Sequence, residues 1–267
     1  MSFQPIVPSG GLGGWVFLNA TMDAQRKAFD AGPRISSDTA YFEARIRDIS
    51  TAEELVNDRR LLRVALGAFG LQDDIDSRFL IRKVLEGGTA DPDALANRLT
   101  DRRYKDLADA FGFGATGGPE TQSPGFGKDI VDLFRRRSFE NAVGESDQGL
   151  RLALNAQREL AILANDTGQG DTGWLRIMGT PPLRKVFETA LGLPDGFAQL
   201  DLDRQLDVFK ARAADRLGIT DLRQLADEGE RDKLVERFLL QDQIRGITVQ
   251  SSSAIALTLL QAVQPFR

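Results

Sequence analysis

The chain has 267 residues, of which 42% are apolar and 27% charged, an ordinary globular balance with length for one large domain or two small ones. Its net charge of −5 gives no electrostatic reason to expect nucleic acid or an anionic membrane as a partner. Cysteine and histidine are both absent, which excludes disulfides, thiolate and serine–histidine catalysis, and the commonest metal ligands, and leaves carboxylates, lysine or tyrosine to any enzyme.

Taken in chain order, nearly every periodic segment reads as helix. The start, Met1 to Pro8, lacks the basic and apolar regions of a signal peptide, and no run reaches the roughly 20 apolar residues of a membrane span. A cytoplasmic location is the expectation, with export that uses no cleavable signal as the alternative. A flexible glycine-rich stretch, 10–14, leads into Trp15, Leu18, Met22, Gln25 and Phe29 at helical spacing. A helix from Tyr41 to Ile49 follows. Ser50-Thr51-Ala52-Glu53 then predicts a capping box opening a helix that runs toward Phe69.

Gly70 and Gly192 each follow an apolar helical run, where a left-handed cap favours glycine. Asp91-Pro92 and Thr180-Pro181 place a capping residue before proline at a first helical position. Polar, glycine-rich loops are expected over 112–127 and 165–173. The best strand candidate, Ile247-Thr248-Val249, is too short to support a sheet. The fold class expected is all-α and multihelical.

The chain also resembles itself. The run Leu61 to Leu71 returns 122 residues later as Leu183 to Leu193, matching Leu61/Leu183, Val64/Val186, Ala68/Ala190, Gly70/Gly192 and Leu71/Leu193. After a slip of five residues, Leu95/Leu222, Leu107/Leu234 and Phe111/Phe238 resume the echo. Two copies are too few for a solenoid. The expectation is two pseudo-repeated helical halves packed together, 1–115 and 127–267, with 116–126 as the linker.

Few motifs carry chemistry. Gly112-Phe113-Gly114-Ala115-Thr116-Gly117 fits the dinucleotide pattern but follows a helix instead of a strand, so it reads as loop. Asp166-Thr167-Gly168 and Asp171-Thr172-Gly173 spell aspartic-protease triplets too close together to form the paired carboxylates that chemistry needs. Asp171 or Thr172 reads instead as the cap of the Trp174 helix. Asp73-Asp74-Ile75-Asp76 lacks the frame of a calcium loop. Arg135-Arg136-Arg137 reads as a solvated helix face or as intramolecular ion pairs, with phosphate or nucleic-acid binding as its sharper alternative. Tyr41, Phe42, Trp15 and Trp174 read as core. The polar run containing Asn97, Asp101, Arg102, Arg103 and Tyr104 keeps the helical frame of its later counterpart but not its polar identities. Those five are the candidate partner-binding residues. The competing reading is a helix corner, with Asp101 capping and the arginines pairing locally.

Tyr41-Phe42, Asp58-Arg59-Arg60-Leu61-Leu62, Ala68-Phe69-Gly70-Leu71, Asn97-Arg98-Leu99 with Asp101-Arg102-Arg103-Tyr104, and the segment from Trp174 to Val186 together resemble an alphaproteobacterial family, domain of unknown function 1217. That resemblance implies a multihelical bacterial protein, some of whose relatives are encoded near flagellar genes. It supplies no catalytic residue. The function expected is a non-enzymatic helical interaction or structural protein, accessory to the flagellum, with no cofactor or metal, a protein partner and room for homo-oligomerisation. The alternative is a small-molecule binder or carboxylate-based enzyme with its site between the two halves.

Overall fold

The computed structural model describes residues 3–166 and 170–262, with side chains through 246 apart from that of Asp166. The described chain is multihelical and contains no strand, as expected. Its first helices are α1 (Gly11–Asp30), α2 (Pro33–Arg45), α3 (Ala52–Asn57), α4 (Arg59–Phe69), α5 (Arg78–Gly87), α6 (Leu95–Arg98) and α7 (Arg102–Phe111). They are followed by α8 (Phe126–Ser146), α9 (Gln148–Asp166), α10 (Asp171–Gly179), α11 (Pro181–Ala190), α12 (Leu202–Leu217) and α13 (Glu228–Ala262). The strand candidate, 247–249, runs inside α13.

Two compact units form. One contains residues 21–142, the other 6–20 together with the chain from Val143 onward. The boundaries fall within α1 and within α8, so the expected linker, 116–126, lies inside the first unit. There Thr121 is fully buried and its hydroxyl donates to the Ile49 carbonyl at 2.6 Å.

Local sequence accounts for most helix ends and corrects several expectations. The capping box sits one residue later than expected: the Thr51 hydroxyl accepts from the Glu54 amide at 3.2 Å while the Glu54 carboxylate accepts from the Thr51 amide at 3.1 Å. The reciprocal pair must span three residues, and Thr51 with Glu54 does so with good geometry. The helix does not run on to Phe69 unbroken. Asp58 is extended and accepts from the Arg60 and Leu61 amides at 2.9 and 3.1 Å, ending α3 and opening α4.

Gly11, Gly13 and Gly14, part of the stretch expected to be flexible, lie in the first turn of α1. A Cβ on Gly14 would lie 1.9 Å from the Ser9 carbonyl oxygen, so the close return of the chain requires glycine there. Pro92 lies in a turn that Asp91 closes by accepting from the Asp93 amide at 2.9 Å, and α6 starts three residues after the proline. Pro181, by contrast, occupies the first turn of α11 as expected. Gly170, with φ 95°, is the residue before α10. Asp171 is not its cap but an acid in its first turn, paired with Lys210 at 2.6 Å.

In the first unit α4 is the central helix, with eight buried residues from Leu61 to Phe69, and it packs against α2, α3 and α7. Phe111 of α7 anchors an aromatic cluster, its ring 5.1 Å from Phe126, 5.9 Å from Phe113 and 6.4 Å from Phe69. In the second unit α11 packs against α9, α10 and α13. A similar cluster joins Trp174, Phe187, Phe209 and Phe197 at 5.5 to 6.2 Å. Full burial of one such side chain contributes roughly 1.5–3 kcal/mol. Trp15, Trp174 and Phe42 are core as expected, whereas Tyr41 is only half-buried.

Candidate functional site

The polar run forms a helix corner in the first unit. Asp101 precedes α7 and accepts from the Arg103 amide at 3.0 Å. The Arg103 side chain folds back, its Nε donating to both Asp101 oxygens at 3.0 Å and one terminal nitrogen to Oδ2 at 2.6 Å. Its other terminal nitrogen donates to the carbonyl of Gly70, the left-handed cap of α4. One guanidinium thus ties the acid at the start of α7 to the end of α4. A helix begins with unpaired amides and ends with unpaired carbonyls, so the anion and the cation each meet the dipole end that favours them.

The other members divide in role. Asn97 Nδ2 donates to the carbonyls of Thr89 and Asp91 at 2.9 and 2.7 Å, holding the turn before α6. Tyr104 is buried against the core of the first unit. Burial, with the Asp74 carboxylate as a smaller cause, pushes its phenol up. Hydrogen bonds from Arg103 hold the Asp101 carboxyl below the usual carboxylate range. A carboxylate so held is a poor proton acceptor at neutral pH, and a phenol so raised is a poor proton donor. Arg102 is exposed and, among the described residues, makes no ion pair. The structure brings Asp101 and Arg103 together, sets Asn97 on α6 bonded to the turn before it, and turns Tyr104 inward.

Two further polar groupings lie in the same unit. Asp38, buried on α2, accepts from Arg60 Nε at 3.3 Å and from Arg63 at 2.8 Å, locking α2 onto α4. Beside it the Tyr41 hydroxyl donates to Asp58 at 2.7 Å while the Arg60 guanidinium lies 4.1 Å from the Tyr41 ring centroid. Both groupings hold helices together.

A third grouping lies on α1 and α8. Arg26 and Asp30 of α1, with Asp132, Arg135 and Arg136 of α8, line a cavity of about 140 Å³. Burial pushes the Asp30 carboxyl up, partly opposed by Arg135 and Arg26. The arginine triplet is therefore not a plain solvated face: Arg135 and Arg137 are half-buried, and only Arg136 is exposed. Sequence reasoning missed Arg26, Asp30 and Asp132. The four-residue spacing of Arg26 and Asp30 puts them on one face of α1, but nothing local says that α8 meets that face.

The remaining motifs stay structural. Gly112 is the left-handed cap of α7, followed by turns and a 3-10 segment, not by the helix a pyrophosphate site needs. Asp76 pairs with Arg59 at 2.9 Å. Of the two aspartic-protease triplets, the first extends outside the described residues. Among the described residues no group of three or more acids is placed to hold a metal ion, and no helix is long and apolar enough to cross a membrane.

Comparison with known proteins bears on this architecture. A family model described as "Protein of unknown function (DUF1217)" matches residues 68–230. The crystal structure of protein AGR_C_984 from Agrobacterium tumefaciens is similar to this chain with a TM-score of 0.73 and 24% identity, covering 91% of this chain and 99% of that one. At that identity the likeness carries the fold alone. No curated protein matches the sequence.

Proposed function

We propose that this chain, which belongs to the DUF1217 family, is a non-enzymatic helical scaffold that works by binding another protein. The observation that carries the reading is the use of the polar corner. Asp101, Arg103 and Asn97 are committed to helix ends and a turn, and Tyr104 to the core, so this polar run is spent on fixing helices and leaves no acid–base pair of its own for chemistry. Exposed apolar side chains, Val16 at 61% and Leu240 at 48%, offer contacts to a partner. The expectation brought by the family resemblance makes that partner a flagellar component and the working location the bacterial cytoplasm.

Internal duplication is part of the same proposal. The order α3, α4, 3-10 turn, α5, short helix, α7 is followed by α10, α11, 3-10 turn, α12, short 3-10 helix, α13. The cap at Gly70, with the Leu71 amide bonding to the Leu66 carbonyl at 2.8 Å, recurs 122 residues on, where Leu193 bonds to Glu188 at 2.9 Å. A scaffold built by copying one helical unit needs no active site to explain its length.

Affinity capture of the full chain from its own bacterium, beside Val16→Glu and Leu240→Glu forms, tests this. The unsubstituted chain is expected to retain a stoichiometric protein, a flagellar one if the narrower reading holds, and at least one substituted form to lose it while keeping its helical circular dichroism. Identical recoveries from all three, with light scattering reporting a monomer at every concentration, would overturn the proposal.

A further inference from the structure

The cavity between α1 and α8 has charge that its own residues leave unused. Three guanidiniums, Arg26, Arg135 and Arg136, face two carboxylates, Asp30 and Asp132, on a chain whose net charge is −5. None of the three arginines comes within ion-pairing distance of a carboxylate among the described residues. Asp132 stands one turn before Arg136, a spacing that favours a pair, yet it takes Lys128 at 2.8 Å. Arg135 gives one terminal nitrogen to the Thr39 hydroxyl at 3.3 Å, and Arg26 lies over the Phe139 ring at 5.6 Å. The Nε atoms of both are buried with no acceptor. Those atoms are closed off from the cavity itself, so it is the terminal guanidinium nitrogens of the lining arginines, charged and without a carboxylate partner, that remain for an acceptor.

We infer that this cavity binds a small oxyanion group, a phosphate or a carboxylate, gripped between Arg26 and Arg135 with Arg136 adding charge at its exposed rim. Phosphate and carboxylate oxygens match the forked donors of a guanidinium, and a site with two such forks holds an anion more firmly than a field of lysines would. The volume of about 140 Å³ lies below the roughly 300–1,000 Å³ of sites for drug-sized ligands, so the ligand is one anionic group, not a nucleotide. Asp30 is the counterweight. It repels the anion when ionised, and burial raises its pKa, so phosphate, which stays anionic there, should bind more tightly as pH falls into the carboxylate range. This site stands apart from the partner-binding reading, and either can fail alone.

The test is calorimetric titration of the full chain with inorganic phosphate, with succinate and with chloride at matched ionic strength. Phosphate, succinate or both should bind saturably and chloride should not. The two arms separate a phosphate site from a carboxylate site. Arg26→Gln and Arg135→Gln should each weaken binding about tenfold, Arg26→Lys should weaken it while keeping the charge, and Asp30→Asn should tighten it. Arg102→Gln, exposed at the corner, should leave it unchanged. Equal heats with chloride, no saturation by either anion, or affinities indifferent to Arg26 and Asp30 would overturn the inference. Should an arginine variant fail to fold, the gain expected from Asp30→Asn still decides.

Discussion

At the end of α4, Gly70 turns left-handed with φ 73° and the next amide reaches back to Leu66. At the end of α11, Gly192 does the same with φ 66° and the next amide reaches back to Glu188. Around them the units differ. The Gly70 carbonyl is held by Arg103, and a Cβ on Gly70 would lie 2.9 Å from the Arg137 guanidinium. Nothing comes within 4 Å of a Cβ on Gly192, and the carbonyls on either side of it, of Ala190 and Leu193, are taken by Arg237 and Arg245 of α13 at 2.8 and 2.7 Å. The backbone solution is local and repeats with the sequence. The cation that satisfies the helix end is tertiary and differs in each unit.

The largest effect should come from the aromatic centres. Phe111→Ala and Phe209→Ala, both fully buried in their own clusters, should each cost about 3–5 kcal/mol in urea unfolding. If one costs far less than the other, the two cores are not equivalent supports.

Next come the caps. Gly70→Ala and Gly192→Ala should each cost about 1–2 kcal/mol, because an L side chain is strained at positive φ. Gly70→Ala should be the worse, since the Arg137 guanidinium must also move. A larger loss at Gly192 would break the account of what surrounds each cap.

Smaller again is the corner itself. Asp101→Ala should cost about 1 kcal/mol, the usual worth of a side-chain cap. Arg103 and Arg223 hold the carboxyls of Asp101 and Asp221 low, the latter to about 2. Because both are depressed below their unfolded values, they stabilise the fold above about pH 4, and that contribution is lost as pH falls toward 2. An Asp101→Asn, Asp221→Asn double variant should therefore show a shallower loss of stability on acidification, read from urea midpoints at successive pH values. Arg237→Gln should cost a similar amount, about 0.5–1.5 kcal/mol for one hydrogen bond to the Ala190 carbonyl.

How much of this was legible in the sequence follows range. The periodicity of Trp15, Leu18 and Met22 was enough for α1, and the Gly-Leu ends were enough for both left-handed caps. The break at Asp58 was not, although Asn57-Asp58 offers a stop and a cap, because apolar spacing alone runs smoothly through it. Gly11, Gly13 and Gly14 look flexible in sequence but open α1, and a Cβ on Gly11 or Gly14 would run into Gln243 or Leu150 from far along the chain, a crowding that no local spacing shows. Of the corner, the Asp101 cap could be read in advance, while the reach of Arg103 to Gly70 could not. The charged cavity joins residues about a hundred positions apart, so only its arginine triplet drew notice.

The sequence by itself determined the all-α class, most helix ends and the repeated cap, since these depend on side chains and backbone groups within about five residues of one another. Tertiary structure decided which carbonyl each arginine satisfies, where α4 meets α7, and that Arg26 and Arg135 face one cavity. Those pairings depend on helices packing by shape across long stretches of chain, and no local spacing encodes them.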